Sequence, residues 1–275
     1  MRRTIKLLFA LLLMLTLTSC TITEKMIIND NGSGKFTYDI DGTKMMSMLG
    51  NAFKSDGEDD AKKNKKETVN RKNKKVVDST FTFKEMFASK QDSIAKLSPE
   101  EQAKIKNMER FSVRTIIDEE KGIMNYSMFT EFNSISELQD VMSPVESMKS
   151  ISPTGQNSGG MGMAPDALED NSSTSFFYDG KTFKKTVAKV EKKKEVTEEV
   201  EEGSEDDLGA KMTESLNMFY DQSNFKIVYQ FPKAVKKVSI ENALYSEDRK
   251  TITIEYPLKD YMENPDKLSF DIVFE

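Results

Sequence analysis

The stretch "MIINDNGSGKFTYDID", Met26–Asp41, predicts a β-hairpin. Its second half, Lys35–Asp41, alternates polar and apolar residues, which is the pattern of a strand with one buried and one solvated face. Gly32 and Gly34 lie between the two apolar halves, where a tight turn favours glycine. We therefore predict antiparallel strands at Met26–Asp30 and Lys35–Asp41, joined by a short turn.

The same alternation recurs along the chain and gives the fold class. "FFYDGKTF" predicts a two-residue hairpin around Asp179-Gly180, of the type I′ that needs positive φ at both turn residues. Further strands are predicted at Phe111–Ile117, Met124–Met128, Phe225–Phe231, Arg249–Tyr256 and Lys267–Phe274. We predict an α+β fold, a mainly antiparallel β-sheet with short amphipathic helices and long disordered insertions.

The helices are indicated by capping signals and apolar stripes. Ser98–Glu101 combines a capping serine, a first-turn proline and a capping-box glutamate. Ser134–Glu137 repeats the capping box before an apolar stripe that reaches Met142. Helical spacing of apolar residues predicts two more helices, from Met45 to Phe53 and from Leu208 to Phe219.

Three segments are predicted to be disordered, because their composition cannot bury enough apolar surface to offset the entropy of ordering. Residues 54–75 hold nine basic and five acidic residues, 151–173 are rich in Ser, Gly, Asn and Pro, and 190–207 hold nine acids against three bases. The rest of residues 20–275 is predicted to form a single α+β domain. The basic segment could contact anionic head groups or pair with the acidic segment; two independent solvated insertions are the simpler reading.

The N-terminus predicts a lipoprotein signal peptide over residues 1–19. A cationic start is followed by the apolar run Leu7–Leu15, which is too short to span a bilayer of roughly 30 Å. "LTSC", Leu17–Cys20, resembles the lipobox of bacterial lipoproteins, and Cys20 is the sole cysteine in the sequence. The resemblance implies cleavage before Cys20 and acylation of that residue, which would anchor the protein to a lipid bilayer.

Composition limits the chemistry of the mature chain. The 275 residues include no histidine, which excludes a Ser-His triad and histidine-ligated metals, and acylation of Cys20 would exclude thiol catalysis. Removal of the signal would leave 37 basic against 46 acidic residues, which argues against nucleic acid as a partner. No cofactor is predicted. Any catalysis would have to use carboxylates, Lys, Tyr or Ser.

Two short stretches of Asp30–Met46 resemble phosphate-site motifs, but neither meets the requirements of its motif. "GSGK" ends at Lys35, but a P-loop needs glycine where Asn29 stands and Ser or Thr where Phe36 stands. "DIDGT", Asp39–Thr43, matches the aspartate motif of haloacid-dehalogenase-type phosphatases, which ends a buried parallel strand. Here the alternation indicates a strand with one buried and one solvent-exposed face, and it places Asp39 on the solvent-exposed face.

Calcium is a further alternative. An EF-hand loop beginning at Asn29 would need glutamate at its twelfth position, where Ile40 stands. Asp30, Asp39 and Asp41 could still ligate a metal ion in another geometry, and we keep this speculative metal site as a hypothesis. A turn rich in Asn, Asp and Gly also has backbone reasons for these residues.

The lipobox, "TEKMIINDNGSGKFTYDIDGTKMM" and the C-terminal "FKIVYQFPKAVKKV" together resemble lipoproteins of Bacteroidetes-type bacteria. The resemblance covers the two ends of the mature chain, and it implies no activity and no catalytic residues. It favours the outer membrane, facing the periplasm. We therefore expect a non-catalytic binding or envelope-assembly role, with an unknown envelope protein or ligand as partner. The alternatives are a carboxylate-based envelope hydrolase and a calcium-binding lipoprotein.

Overall fold

The computed structural model describes residues 21–43, 76–118, 120–139, 172–189 and 221–275. The signal peptide 1–19, Cys20 and the helices predicted from Met45 and from Leu208 lie outside the described residues. So do the predicted disordered segments, except for the last two residues of 151–173, which begin a strand.

The described residues form strands joined by short turns and helices. The strands are β1 (Thr21–Ile28), β2 (Gly34–Asp41), β3 (Val76–Thr82), β4 (Ser112–Asp118), β5 (Ile123–Phe132), β6 (Ser172–Tyr178), β7 (Thr182–Lys189), β8 (Asn224–Gln230), β9 (Val235–Val238), β10 (Leu244–Tyr245), β11 (Thr251–Pro257) and β12 (Phe270–Phe274). The helices are α1 (Phe83–Phe87), α2 (Gln91–Ile94), α3 (Pro99–Met108) and α4 (Leu258–Glu263), with 3-10 turns at Ala88–Lys90, Ile135–Leu138 and Pro265–Leu268. The predicted α+β fold with a mainly antiparallel sheet is confirmed.

The larger sheet has eight strands in the order β10-β11-β8-β1-β2-β5-β4-β3. All its neighbouring strands are antiparallel except β1 and β8, which run parallel with Thr21 opposite Asn224 and Ile27 opposite Gln230. This pair joins the first described strand to one near the C-terminus. The chain therefore closes its central sheet with strands that are distant in sequence.

The smaller sheet has the order β6-β7-β12-β9 and is antiparallel throughout. It covers one face of the larger sheet, and the aromatic rings between them set the core. Phe183 of β7 lies 5.4 Å from Tyr229 and 5.2 Å from Phe231 between ring centroids, while Phe176 of β6 lies 5.9 Å from Phe36. The core is thus a sandwich in which side chains from both sheets interdigitate.

The two ends of the larger sheet differ, and we name them after β1. The Thr21 end carries the start of β1, the end of β2 and the start of β8. The Ile28 end carries the β1–β2 turn, in which Asn29 N donates to Ser33 O at 2.8 Å and Gly32 has φ of +81°. The predicted hairpin is confirmed, with β1 longer at its N-terminal side than expected.

The described start of one predicted helix is a 3-10 turn, Ile135–Leu138, and the rest of its apolar stripe, Val141 and Met142, lies outside the described residues. Ser134 Oγ accepts from Ser136 N at 3.4 Å, and the turn ends at Leu138 because Gln139 is extended. Glu137 does not close the predicted capping box with Ser134; its carboxylate binds Arg110 at 2.8 Å instead. The predicted helix at Ser98–Glu101 is confirmed as α3.

The predicted type I′ turn at Asp179-Gly180 is wrong in its geometry. Gly180 has φ of +80°, whereas Asp179 is not among the described residues with positive φ. The Asp179 carboxylate accepts from the backbone N of Lys181 at 2.8 Å and of Thr182 at 2.7 Å. This aspartate turn replaces the second positive-φ residue that a type I′ turn would need.

Candidate functional site

The three predicted metal-binding acids do not share a site in the structure. Asp30 lies in the β1–β2 turn at the Ile28 end, whereas Asp39 and Asp41 lie near the opposite end of β2. The intervening strand spans about 3.3 Å per residue, so Asp30 is separated from Asp41 by most of the sheet. No group of three acidic or cysteine residues suited to a metal ion occurs within residues 21–43, 76–118, 120–139, 172–189 and 221–275.

Asp39 lies on the face of the larger sheet that points away from the smaller one, as predicted. Its carboxylate contacts Lys25 Nζ at 2.6 Å and accepts from Ser127 Oγ at 2.5 Å. Asp41 accepts from the backbone N of Thr43 at 3.0 Å, which ends β2 in a local turn. The two aspartates of "DIDGT" therefore have structural partners on a half-solvated strand.

The most unusual chemistry lies between the sheets. Glu24 of β1 and Lys185 of β7 are each 1% exposed, and Lys185 Nζ contacts the two carboxylate oxygens of Glu24 at 2.7 and 2.8 Å. Tyr229 OH donates to Glu24 Oε1, and Tyr38 OH donates to Glu24 Oε2 at 3.2 Å. We call these four residues the core polar cluster.

Strand alternation positions each member of the cluster. β1 turns Ile22, Glu24, Met26 and Ile28 towards the smaller sheet, and β7 turns Phe183, Lys185 and Val187 towards the larger one. The neighbouring strands β2 and β8 contribute Tyr38 and Tyr229 from the same inward face. A glutamate and a lysine thus stand at positions where the pattern otherwise supplies apolar side chains.

The surroundings of the core polar cluster are aromatic. Lys185 Nζ lies 5.9 Å from the ring centroid of Phe176 and 5.7 Å from that of Phe225. Burial lowers the pKa of the Lys185 ammonium, against the opposing effects of the Glu24 charge and hydrogen bonds. Burial, reinforced by the neighbouring Glu24 carboxylate, holds the pKa of Tyr229 well above its usual value. The protein thus holds an acid and an amine in contact where water is excluded.

The core polar cluster was not predicted from the sequence, although a signal was present. In "TITEKMII" the inward set is Ile-Glu-Met-Ile, and in "TFKKTVAK" it is Phe-Lys-Val. A single acid in one buried face and a single base in another would have suggested a cross-sheet pair. Their pairing could not be read from the sequence, because it depends on how the two sheets stack.

A cleft of about 450 Å³ opens at the Ile28 end. The residues that line it include the charged Lys35 and Glu131, the amide-bearing Asn29 and Asn133, and the apolar Phe132. Lys35 and Glu131 stand opposite each other on β2 and β5, and Lys35 Nζ lies 4.5 Å from the ring centroid of Phe129. The cleft can offer both charges and amide hydrogen bonds to a small polar group.

The lipidation residue predicted from the lipobox directly precedes the first residue of β1, since Cys20 is bonded to Thr21. Consecutive Cα atoms are about 3.8 Å apart, so no spacer separates Cys20 from the central part of the larger sheet. Among the helices of the described ranges, none has the length and apolar character needed to cross a bilayer.

Comparisons of this chain with protein-family models, with curated proteins and with solved structures find no match. The resemblance to Bacteroidetes-type lipoproteins therefore stays a prediction from the residues that carry it.

Proposed function

We propose that the chain is a lipid-anchored protein of the bacterial cell envelope with a non-catalytic binding or assembly role. The observation that carries the proposal is the direct passage from the lipobox cysteine into β1, the strand between β8 and β2. A lipid on Cys20 would hold the Thr21 end of the folded domain against the bilayer, because no linker residues separate Cys20 from β1. The outer membrane, on its periplasmic side, is the location we propose.

A binding role is supported by the position of the cleft. β1 runs from Thr21 at one end of the sheet to Ile27, which lines the cleft near the other end. At about 3.3 Å per residue, the strand separates the cleft from the anchored end by roughly 20 Å. The cleft would therefore face away from the bilayer, where a soluble ligand or an envelope protein can reach it.

The ionisable groups of the described residues also support a non-catalytic role. The fully buried pair Glu24 and Lys185 lies in the core, where a diffusing substrate would have to displace aromatic side chains. On the opposite face of the larger sheet, Asp39 contacts Lys25, and Asp78 forms two hydrogen bonds with Arg114 at 2.9 and 3.0 Å. These acids serve as partners of neighbouring cations rather than as an isolated catalytic pair.

The anchor is tested by fractionating cells that express the wild-type protein or the Cys20→Ser variant. We expect the wild type in the outer-membrane fraction, with an N-terminal peptide that begins at Cys20 and carries acyl chains by mass spectrometry. The variant should lose the lipid and leave that fraction. An unmodified wild-type N-terminus would contradict the proposal.

The binding role is tested by photo-cross-linking in intact cells. A photoreactive residue at Glu131 would report on the cleft, and one at Lys184, which is exposed on the outer face of the smaller sheet, is the matched control. We expect a discrete adduct from position 131 and none from position 184. Equal labelling at both positions, or none at either, would argue against a binding role for the cleft.

A further inference from the structure

We propose that Glu24 and Lys185 condense into an intramolecular isopeptide bond, which would covalently join β1 to β7 between the two sheets. The product would be an amide between the side-chain carboxyl carbon Cδ of Glu24 and Nζ of Lys185. The inference concerns a modification within the folded chain and does not depend on the proposed lipid anchor or on the cleft.

The geometry brings the reacting atoms together. Nζ of Lys185 lies at hydrogen-bond distance from both oxygens of the Glu24 carboxylate, at 2.7 and 2.8 Å. A nitrogen held in this way lies roughly 3 Å from the carbon between the oxygens, which is the separation of a near-attack arrangement. A nitrogen that hydrogen-bonds both oxygens lies near the plane of the carboxylate, so attack needs a movement of the Lys185 side chain that brings Nζ over the face of Cδ.

Burial favours the neutral amine that the reaction needs, because it lowers the pKa of the Lys185 ammonium. In water the ammonium and carboxylate ions are strongly solvated, and condensation must also proceed against bulk water. Between the sheets, both side chains are 1% exposed and aromatic rings surround the nitrogen. In the proposed step one proton passes from the Lys185 ammonium to a Glu24 oxygen at hydrogen-bond distance, which leaves a neutral amine and a neutral acid.

The bond changes are balanced without a further reactant. The Nζ lone pair attacks Cδ of the protonated Glu24 carboxyl group and forms a tetrahedral intermediate. The C–N bond then remains while one C–O bond breaks, and the leaving oxygen departs as water with two protons, one from the acid and one from the amine. No electrons are transferred to or from an outside group, so neither an oxidant nor a reductant is needed.

The two tyrosines supply hydrogen bonds for the intermediate. Tyr229 OH donates to Glu24 Oε1, and Tyr38 OH donates to Oε2 at 3.2 Å. Donors already aimed at the carboxyl oxygens stabilise the negative charge that develops on one oxygen when Nζ attacks. Since burial keeps the pKa of Tyr229 high, this hydroxyl stays protonated and able to donate.

The proposal is tested by the intact mass of the full chain, purified and fully denatured. An isopeptide bond predicts a mass lower by one water than that calculated for the same processed polypeptide. Proteolytic mapping should then find one branched peptide that joins the segment around Glu24 to the segment around Lys185. A denatured mass equal to the calculated value would overturn the proposal, because an ion pair leaves no trace after denaturation.

Two neighbouring variants make the assignment specific. Lys185→Met should remove the mass deficit, because no amine faces Glu24. Lys184→Met is the matched control; Lys184 is exposed and pairs with Asp271 at 3.8 Å on the outer face of the smaller sheet, so the deficit should persist. A deficit that survives Lys185→Met, or a branch point at another lysine, would overturn the proposal even if the wild type is short by one water.

Discussion

At the scale of single residues, the burial of Glu24 and Lys185 costs desolvation free energy, and the hydrogen bonds between the two side chains offset that cost. Taking two charges into a core costs several kcal/mol per ion, and the cost is offset only when the groups meet with good hydrogen bonds. Here the carboxylate receives Lys185 and the hydroxyls of Tyr229 and Tyr38. The fit of the two sheets therefore depends on both charged residues being present together.

Removal of one partner should be more damaging than removal of both. We expect Lys185→Met to lower the free energy of unfolding by about 3–5 kcal/mol, because Glu24 is left buried without its cation. The double variant Glu24→Leu with Lys185→Met should be more stable than Lys185→Met alone, because it buries no unpaired charge and both variants equally lack the proposed isopeptide bond. Urea denaturation of the two variants and the wild type measures the difference. Additive losses in the double variant would show that the residues do not act as a pair.

The pH dependence of stability should reflect the surface carboxylates. Backbone hydrogen bonds from Thr182 and Lys181 hold the pKa of Asp179 below its usual value near 4. Between the lowered folded-state pKa and the unfolded one, the unfolded chain binds more protons, so stability falls as the pH drops through that window.

The Asp179→Asn variant tests this effect. The variant keeps a side-chain oxygen that can accept from Thr182 but cannot titrate. Its urea midpoint should therefore fall less than that of the wild type between pH 6 and pH 3. An identical fall in both proteins would exclude a contribution from Asp179.

At the scale of elements, most strands were predictable and their partners were not; β3, β9 and β10 were missed. Alternation located β2 and β8 within a residue or two, because a strand with one buried face imposes period two on its sequence. The parallel contact of β1 with β8 carries no local signal. Helix α1 was missed although Thr82 and Glu85 form a capping box, with Glu85 N donating to Thr82 Oγ1 at 3.1 Å.

The same limits apply to the candidate sites. The alternation of β2 predicted that Asp39 lies on the solvent-exposed face of the strand, and this position is confirmed. The proposed grouping of Asp30 with Asp39 and Asp41 treated closeness in sequence as closeness in space, whereas an extended strand separates its two ends. The core polar cluster needed the stacking of two sheets, so it emerged only from the structure.

Gly34 gives a test of the β1–β2 hairpin. A Cβ at this position would clash with the backbone O of Ile27 and with the ring of Phe132, and a backbone atom cannot move away without disturbing β1. We expect Gly34→Ala to lower the free energy of unfolding by about 1–3 kcal/mol, the usual cost of overpacking.

Gly42→Ala is the matched control for this variant. A Cβ at Gly42 would meet the nearest atom, the backbone O of Met124, at 3.2 Å, which a small shift can relieve. Thermal or urea unfolding should therefore rank the wild type first, Gly42→Ala next and Gly34→Ala last. A Gly34→Ala protein as stable as the control would contradict the close approach of β1, β2 and β5.

At the scale of the whole molecule, the connections that include the charged segments lie at the Thr21 end of the larger sheet. Thr43 after β2, Val76 at the start of β3 and Asp221 before β8 all lie at the Thr21 end. The basic segment 54–75 lies between Thr43 and Val76 in the sequence, and the acidic segment 190–207 precedes Asp221. The Ile28 end also carries a long connection, since residues 83–111, with helices α1, α2 and α3, join the end of β3 to the start of β4 there. A bilayer at the Thr21 end would meet the segments that follow β2 and precede β3 and β8, whereas the cleft at the Ile28 end would point away from it.

This polarity predicts unequal access to the two ends once the protein is anchored. With Cys20 acylated, a new cysteine would carry the sole free thiol of the sequence. Asn133→Cys would report on the Ile28 end and Lys259→Cys, in α4, on the Thr21 end. For the lipoprotein in vesicles, we expect a charged maleimide to label position 133 several-fold faster than position 259, because the bilayer shields α4. Both cysteines should react at similar rates when each is combined with Cys20→Ser, which frees the domain from the membrane. Preferential labelling of position 259 in the anchored protein would reverse the proposed orientation and turn the cleft towards the bilayer.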